Sequence, residues 1–345
     1  RIFYTWSAFR TFLERFGAGN LSSQTLIFFV LFSLPLEATG IRIGLVLPEL
    51  SNAAINDIAI GAKKRANEIG NIEILLTGTY SGEEQAKAVE NYIAAGVDLI
   101  AYDSIDAAAV GPAIVKANKA NIPVIGVISA ASSGEMVTFI TPDFCENGRL
   151  IGSWMSKTLG RNGIVSHVEG NPADAAGACL TKGFLAGLKE NGIQGTVSQA
   201  PSNWARQKGM QVAENMLTSR PDLQGIYGAN DDVAMGVLQA VRAAGRLGDV
   251  LVAGHNGTCE ALASMLKGDL DFTVLLFNQP LGALMIDKAV DVLNGKKIPD
   301  FLGAPVLGLD AVWAKQIVAG TRDGLPGNIA QEVKDRLKAA SAGCK

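Results

Sequence analysis

Residues 41–78 read IRIGLVLPELSNAAINDIAIGAKKRANEIGNIEILLTG, and the order of runs in this stretch decides the fold. IRIGLVL (41–47) and IEILLTG (72–78) are short and rich in Ile, Leu and Val. Strands of a parallel sheet covered on both faces need that composition. Between them, AAINDIAIGAKKRANEI (53–69) places apolar residues three and four apart, which predicts a helix with one buried face. Gly70 supplies the helix stop before the second strand. A strand, a helix and a parallel strand in succession make a right-handed crossover.

The same grammar continues along the chain. VDLIAY (97–102) and IPVIGVI (122–128) are further buried strands, with Gly96 and Asn121 as helix stops. A second set follows: NGIVSHVEG (162–170), IQGTVSQA (193–200), LQGIYGAN (223–230), DVLVAGHN (249–256) and LDFTVLLF (270–277). Helices are expected around 174–191, 204–219, 231–244, 258–267 and 280–294. Strand–helix alternation twice over predicts an α/β protein of two lobes, each a doubly wound parallel sheet with its functional edge at the strand C-termini.

Composition narrows the function classes. Thirty Lys and Arg against 33 Asp and Glu give a net charge of −3, so no basic excess exists to neutralise phosphates and nucleic acid is not an expected partner. The four cysteines, Cys145, Cys179, Cys259 and Cys344, show no CxxC spacing and no partner histidines, so no metal site is expected. Buried free thiols are the expected state, with Cys145–Cys179 as the candidate for a single disulfide. Near the start, Arg1, Arg10 and Arg15 precede the apolar run LIFFVLFSLPL (26–36), which is shorter than the about 20 residues a membrane span needs. It reads as the apolar core of a secretory leader ending at Ala38, so residues 1–38 are expected to be removed on export to the periplasm.

Catalytic patterns are sparse. His167 and His255 are the two histidines, and neither sits in a Ser/His/Asp or Cys/His arrangement. No GxxxxGK[ST] occurs, and the turn after the first strand, GLVLPELSN (44–52), is not a GxGxxG, so neither an enzyme nor a cofactor site is expected. What remains is a set of polar and aromatic residues at strand C-terminal ends: Asn52, Asp103, Ser129, Asn203, Trp204, Asn230 and Asn256. Facing one another across two lobes, amides and an indole would grip a hydroxylated ligand, the amides by donating and accepting hydrogen bonds and the ring by covering C–H groups. Each Asn could equally be a helix cap.

Four segments carry a family resemblance over residues 41 to 320: the opening unit, ANKANIPVIGV (117–127), SQAPSNWARQKGMQVAENMLTSRPDLQGIYGANDDVAMGVLQAV (198–241) and VAGHNGTCEAL (252–262). They resemble periplasmic sugar-binding proteins of the ribose-binding type, which feed ABC importers and share their core with lactose-repressor-type regulators. The resemblance implies the type I periplasmic binding protein fold, with lobes of residues 39–142 plus 277–304 and 143–276 plus 305–322, and a C-terminal tail at 323–345. A multi-strand hinge near Pro142-Asp143, Leu276-Phe277 and Ala304-Pro305 would join the lobes. It also implies that Asn52 and Asn230 contact ligand, that Trp204 stacks on a sugar ring, that Asp231 caps a helix, and that Asn256 stands where an Asp usually holds two hydroxyls.

The departures matter as much. Ile128-Ser129 replace an expected Asp–Arg pair, Ala178 an Arg, Asn278 a Gln, and Ala54 and Ile55 the stacking aromatics. A sugar bound in the usual manner would leave hydroxyls unpaired at roughly 1–3 kcal/mol each. Either the ligand is smaller or less hydroxylated, or Asp103, Glu49 and Arg206 supply substitute bonds. The expected site is therefore Asn52, Ile55, Asp103, Ile128, Ser129, Trp204, Asn230, Asn256 and Asn278. The expected function is that of a monomeric receptor for a small neutral monosaccharide or polyol, handed to an inner-membrane ABC permease with a separate ATPase chain. A periplasmic sensor subunit is the alternative. A transcription regulator would need a basic helix-turn-helix where LIFFVLFSLPL stands.

Overall fold

The computed structural model describes residues 40–171, 173–322, 324–327 and 329–344, and the leader read at 1–38 lies outside the described residues. The opening unit forms as β1 (Ile41–Leu47), α1 (Ala53–Ile69) and β2 (Ile72–Gly78), with β1 and β2 parallel from Ile41–Ile72 to Leu47–Gly78. Next come α2 (Gly82–Ala95), β3 (Leu99–Tyr102), α3 (Ala107–Lys119), β4 (Val124–Val127) and β5 (Thr138–Thr141). The second series runs α4 (Phe144–Leu159), β6 (Val165–Glu169), α5 (Ala175–Glu190), β7 (Ser198–Pro201), α6 (Arg206–Ser219), β8 (Gly225–Gly228), α7 (Asp231–Ala243), β9 (Leu251–Asn256), α8 (Cys259–Lys267) and β10 (Phe272–Leu276). The chain ends with α9 (Asn278–Leu293), β11 (Phe301–Gly303), β12 (Val306–Asp310), α10 (Ala311–Val318) and α11 (Ala330–Ser341).

Two six-stranded sheets result, ordered β11-β5-β4-β3-β1-β2 and β12-β10-β9-β8-β6-β7. Every pairing in the first is parallel, and in the second only the edge strand β12 runs antiparallel, against β10. Both faces of each sheet are covered, as the apolar strands require. One face of the first sheet packs Ile43, Leu45 and Leu47 against α1 and α9, and the other packs Val46 and Ile100 against α2 and α3. Periodicity did not reveal β5, β11 and β12, which are three to five residues long. The strand expected over 193–200 is confined to Ser198–Pro201. The stretch read as a tail contains α11, whose Val333, Leu337 and Ala340 repeat at helical spacing and are buried in the core of the second sheet.

The chain passes from one sheet to the other three times: between β5 and β6, between β10 and β11, and between β11 and β12. The helix after the first passage, α4, lies along α5 with the backbones in close approach. A Cβ on Gly148 would run into the carbonyl of Leu180, and one on Gly183 into that of Cys145. Only hydrogen fits at these points.

All four cysteines are paired, which corrects the free-thiol expectation. Cys145–Cys179 joins α4 to α5, with Cα atoms 4.5 Å apart, and Cys259–Cys344 joins α8 to the end of α11, with Cα atoms 5.7 Å apart. The sequence could not show the second bridge, because it depends on α11 folding back onto α8.

Candidate functional site

A helix that starts just after a parallel strand has its N-terminus at the sheet's C-terminal edge, so capping side chains and strand ends gather there. Asn52 caps α1, its Oδ1 accepting from the Ala54 amide (3.0 Å), and Asn230 caps α7, accepting from the Val233 amide (2.8 Å). Asp174 caps α5 through the Ala176 amide (3.0 Å). The two sheets bring these edges together around a cavity of about 60 Å³ open to water-sized groups. That is well above the roughly 10–15 Å³ that a cavity needs to hold one water molecule.

From the first sheet the cavity is lined by Pro48, Asn52, Ile55, Tyr80, Asp103, Ser104, Ile105 and Ile128. From the second come Phe144, Asp174, Ala176, Leu180, Trp204, Asn230, His255, Asn256 and Leu276. Seven of the nine residues singled out in the sequence, Asn52, Ile55, Asp103, Ile128, Trp204, Asn230 and Asn256, therefore meet in one place. Ser129 and Asn278 do not line it. Ser129 lies behind the wall: its amide donates to Asp103 Oδ1 (3.2 Å) and its hydroxyl to Asp174 Oδ1 (2.5 Å), a direct link between the two sheets. Asn278 begins α9 and opens on a separate groove beside Asp57 and Arg336. Arg206 and Glu49, considered as substitute hydrogen-bonding groups, are not on the cavity wall, and Arg206 is held by Asp232 (2.7 Å) and Glu260 (2.6 Å).

The wall is backbone-strained where it matters. Seven non-glycine residues among those described have positive φ, and four of them are at the cavity or next to its wall: Ile128 (59°), Asn203 (51°), Trp204 (64°) and Asn256 (117°). Such conformations cost on the order of 1–3 kcal/mol each and persist where surrounding structure imposes them. For a β-branched residue such as Ile128 the conformation is a real outlier. The consecutive pair Asn203-Trp204 lays the indole against Gly170 and Gly177, whose missing side chains make room for it.

Electrostatics follow from burial. Asp103 and Asp174 are 3% and 6% exposed. Burial and the neighbouring Asp174 raise the Asp103 carboxyl well above its ordinary range, and burial pushes Asp174 up to about 6 against the pull of the Ser129 hydroxyl. Burial lifts the Tyr80 phenol to about 12. His255, near the end of β9, is buried on the cavity wall. Burial lowers it to about 3, so it is neutral, and its Nε2 shares a hydrogen bond with Asn147 Nδ2 (3.1 Å). Two polar atoms of the wall, Ser104 Oγ and Asn256 Oδ1, are buried without a partner.

Residues behind the wall hold it in shape. Gln85, fully buried, donates to the Asp103 carbonyl (2.9 Å) and accepts from the Ile105 amide (2.9 Å), fixing the Asp103–Ile105 turn. Asp231 is not the cap of α7, because Asn230 occupies that place. Asp231 instead accepts from the Thr258 amide (2.6 Å) and the Thr273 hydroxyl (2.8 Å), tying α7 to β10. Arg336 of α11 reaches the carbonyls of Leu276 (2.7 Å), Asn256 (3.3 Å) and Gly257, setting the ends of β9 and β10.

Two parallel-sheet edges thus meet at one cavity lined by both polar and apolar side chains. The family model described as "Periplasmic binding protein domain" matches residues 43–297. This chain belongs to the periplasmic binding protein family. Among relatives in the family, the ribose import binding protein of Escherichia coli is 30% identical over 277 residues, covering 79% of this chain and 93% of its own length. The D-ribose/D-allose-binding protein of Pseudomonas aeruginosa is 33% identical over 268 residues, 74% of this chain and 83% of its own length. A periplasmic solute-binding protein of an ABC transporter from Actinobacillus succinogenes, solved with D-allose, superposes with a TM-score of 0.74 at 28% identity, covering 79% of this chain and 98% of its own. One from Mycobacterium smegmatis with glycerol gives 0.74 at 26%, covering 79% of this chain and 95% of its own. Within this periplasmic binding protein, Tyr80, Ser104, Phe144 and Asp174 are the wall residues that sequence reasoning passed over. Tyr80 and Ser104 follow strands just as the chosen residues do, so the same positional signal extended by two residues would have found them.

Proposed function

We propose that the protein is the solute receptor of an ABC importer, taking a compact hydroxylated ligand of the sugar or polyol class between its two lobes. The observation that carries the reading is a cavity walled by strand ends from both sheets, in a chain whose relatives are import binding proteins. The lobes are the two sheets with their helices, and the three passages between them serve as the hinge. The Ser129–Asp174 hydrogen bond spans the sheets, so parting the lobes breaks it. The structure is thus read as the closed form, which ligand stabilises through its greater affinity for that form. Closed lobes present a composite surface to a permease, with ATP hydrolysis on another chain. The mature protein works in the periplasm.

Trp204 covers the apolar face of the ligand, and Asn52, Asn230, Asn256 and Asp103 take its polar groups. Asn52 and Asn230 do this while capping helices, because capping uses Oδ1; Asn52 Nδ2 donates one N–H to the Tyr80 hydroxyl (3.4 Å) and keeps the other, and Asn230 Nδ2 is left to donate. A thermal-shift screen of residues 39–345 tests the reading, with pentoses, hexoses, tetritols and pentitols against amino acids and nucleosides. A ligand that binds only the native state raises the melting temperature by an amount set by its concentration over Kd. A rise with a sugar or polyol supports the reading. Silence across all of them with a response to a nucleoside refutes the ligand class and leaves the fold intact.

A further inference from the structure

The cavity wall holds two buried carboxylates and no cation to answer them. Asp103 and Asp174 both line it, and both hydrogen-bond to Ser129, which places them side by side. Among the described residues, no Lys or Arg lines the cavity, and the wall's single histidine is neutral. Burying a carboxylate without a counter-charge is costly, and two such groups close together are more so. Burial answers part of that cost by favouring the protonated carboxyls, and a bound cation would answer it by holding them ionised.

Hydrogen-bond bookkeeping points the same way. Ser104 Oγ, on a residue 2% exposed, has no partner and belongs to the cavity wall, as does the unpartnered acceptor Asn256 Oδ1. These two oxygens lie on the same wall as the two carboxyl groups, and Asn256 Oδ1 can only accept. An ammonium group has three N–H donors and no acceptor. The Trp204 ring on the same wall adds a face that attracts cations.

We propose that the ligand is a hydroxylated amine, an amino alcohol or amino sugar, whose ammonium sits between Asp103 and Asp174 while its hydroxyls meet Asn52, Asn230 and Asn256. This deepens the receptor reading and rests on it. No covalent step is involved.

The test is isothermal titration calorimetry at neutral pH with matched pairs: serinol against glycerol, 1-amino-1-deoxyribitol against ribitol, and glucosamine against glucose. In at least one pair the amine binds tenfold or more tightly than its hydroxyl partner, and Asp174→Asn or Asp103→Asn removes that preference. Asn is as good a helix cap as Asp, so the α5 cap survives in Asp174→Asn. A neutral member that binds as tightly as its amine overturns the proposal and keeps the receptor reading. So does a neutral member that binds with uptake of one proton, since the carboxylates would then share a proton in place of a cation. A preference that persists in both variants also overturns it. No binding by either member of any pair, together with silence in the sugar and polyol screen, overturns the proposal and the receptor reading together.

Discussion

Removing the two disulfides separately separates their roles, because they close loops of different length in different parts of the second sheet. Cys145–Cys179 closes 34 residues and Cys259–Cys344 closes 85, and the two loops do not overlap. In the chain-entropy account the stabilisation is 298 K times 2.1 + 1.5R ln n cal/mol/K, giving about 3.8 kcal/mol for the first bridge and about 4.6 kcal/mol for the second. At roughly 2–4 °C per kcal/mol, the double variant Cys145→Ala/Cys179→Ala should melt roughly 8–15 °C lower. The second bridge should matter in a different way. Without it, α11 is held by the packing of Val333, Leu337 and Ala340 and by the Arg336 hydrogen bonds, so Cys259→Ala/Cys344→Ala should lose amide-exchange protection first over 330–344. Urea unfolding gives the free energies, and thiol titration of the denatured, unreduced protein gives the pairing. No thiols should react. Four reactive thiols would refute the pairing, and two double variants each within 0.5 kcal/mol of the parent would refute the loop argument.

Three further outcomes follow from other parts of the molecule. Trp204→Ala removes the stacking surface at the edge of the small cluster of Phe144, Ala176, Leu180 and Leu276, so ligand affinity should fall by roughly 10- to 100-fold, worth about 1.4–3 kcal/mol, with an unchanged circular dichroism spectrum; unchanged affinity removes the indole from the site. Gly183→Ala drives a methyl into the Cys145 carbonyl and should cost about 1–3 kcal/mol in urea unfolding. Gly195→Ala, where nothing lies within 4 Å, should be close to neutral, and equal costs would show that α4 and α5 do not need backbone contact. For pH, burial raises Asp174 and Asp271 to about 6 and Asp231 to about 7 from 3.8. These groups favour the protonated native state, so their stabilisation is complete below about 4 and is lost as pH rises through 6 and 7. The lowered carboxylates, such as the half-buried Asp291 at about 2 beside Lys288 and Lys296, act only at still lower pH. The urea midpoint of the ligand-free protein should therefore be higher at pH 5 than at pH 8, and Asp231→Asn should flatten the slope. A midpoint that rises over this interval contradicts the burial argument.

The sheets were legible because their strands are buried on both faces and write long apolar runs, and the helices between them because of regular spacing. Strands β5 (TFIT) and β11 (FLG) have only two apolar residues each among threonines and a glycine, and write no such signal. Their place depends on partners far away in the chain. In the site, Asn52 and Asn230 were found as residues that could cap or bind, and the structure shows them capping with one atom while facing the cavity. Asp174 escaped because an Asp before an apolar helix reads as a cap, which it is; its burial against Asp103 arises only when the two sheet edges meet. The left-handed Asn203-Trp204 pair was equally hidden, since nothing in the residue types announces a positive φ at a tryptophan.

The passages between sheets carry a consequence for how the chain comes into being. Strand β5 pairs with β11 through Phe139 and Phe301, partners 301 − 139 = 162 positions apart. The second sheet likewise waits for Val306–Asp310 to cover β10. Neither sheet is complete until nearly the whole polypeptide has left the ribosome, and contacts of such long range fold slowly. A nascent chain therefore leaves β5 without its outer partner for the 162 positions between Phe139 and Phe301, and β10 without β12 for a much shorter stretch. In a chain that crosses a membrane before folding, such a delay would keep the polypeptide threadable, with residues 301–310 completing both sheets last.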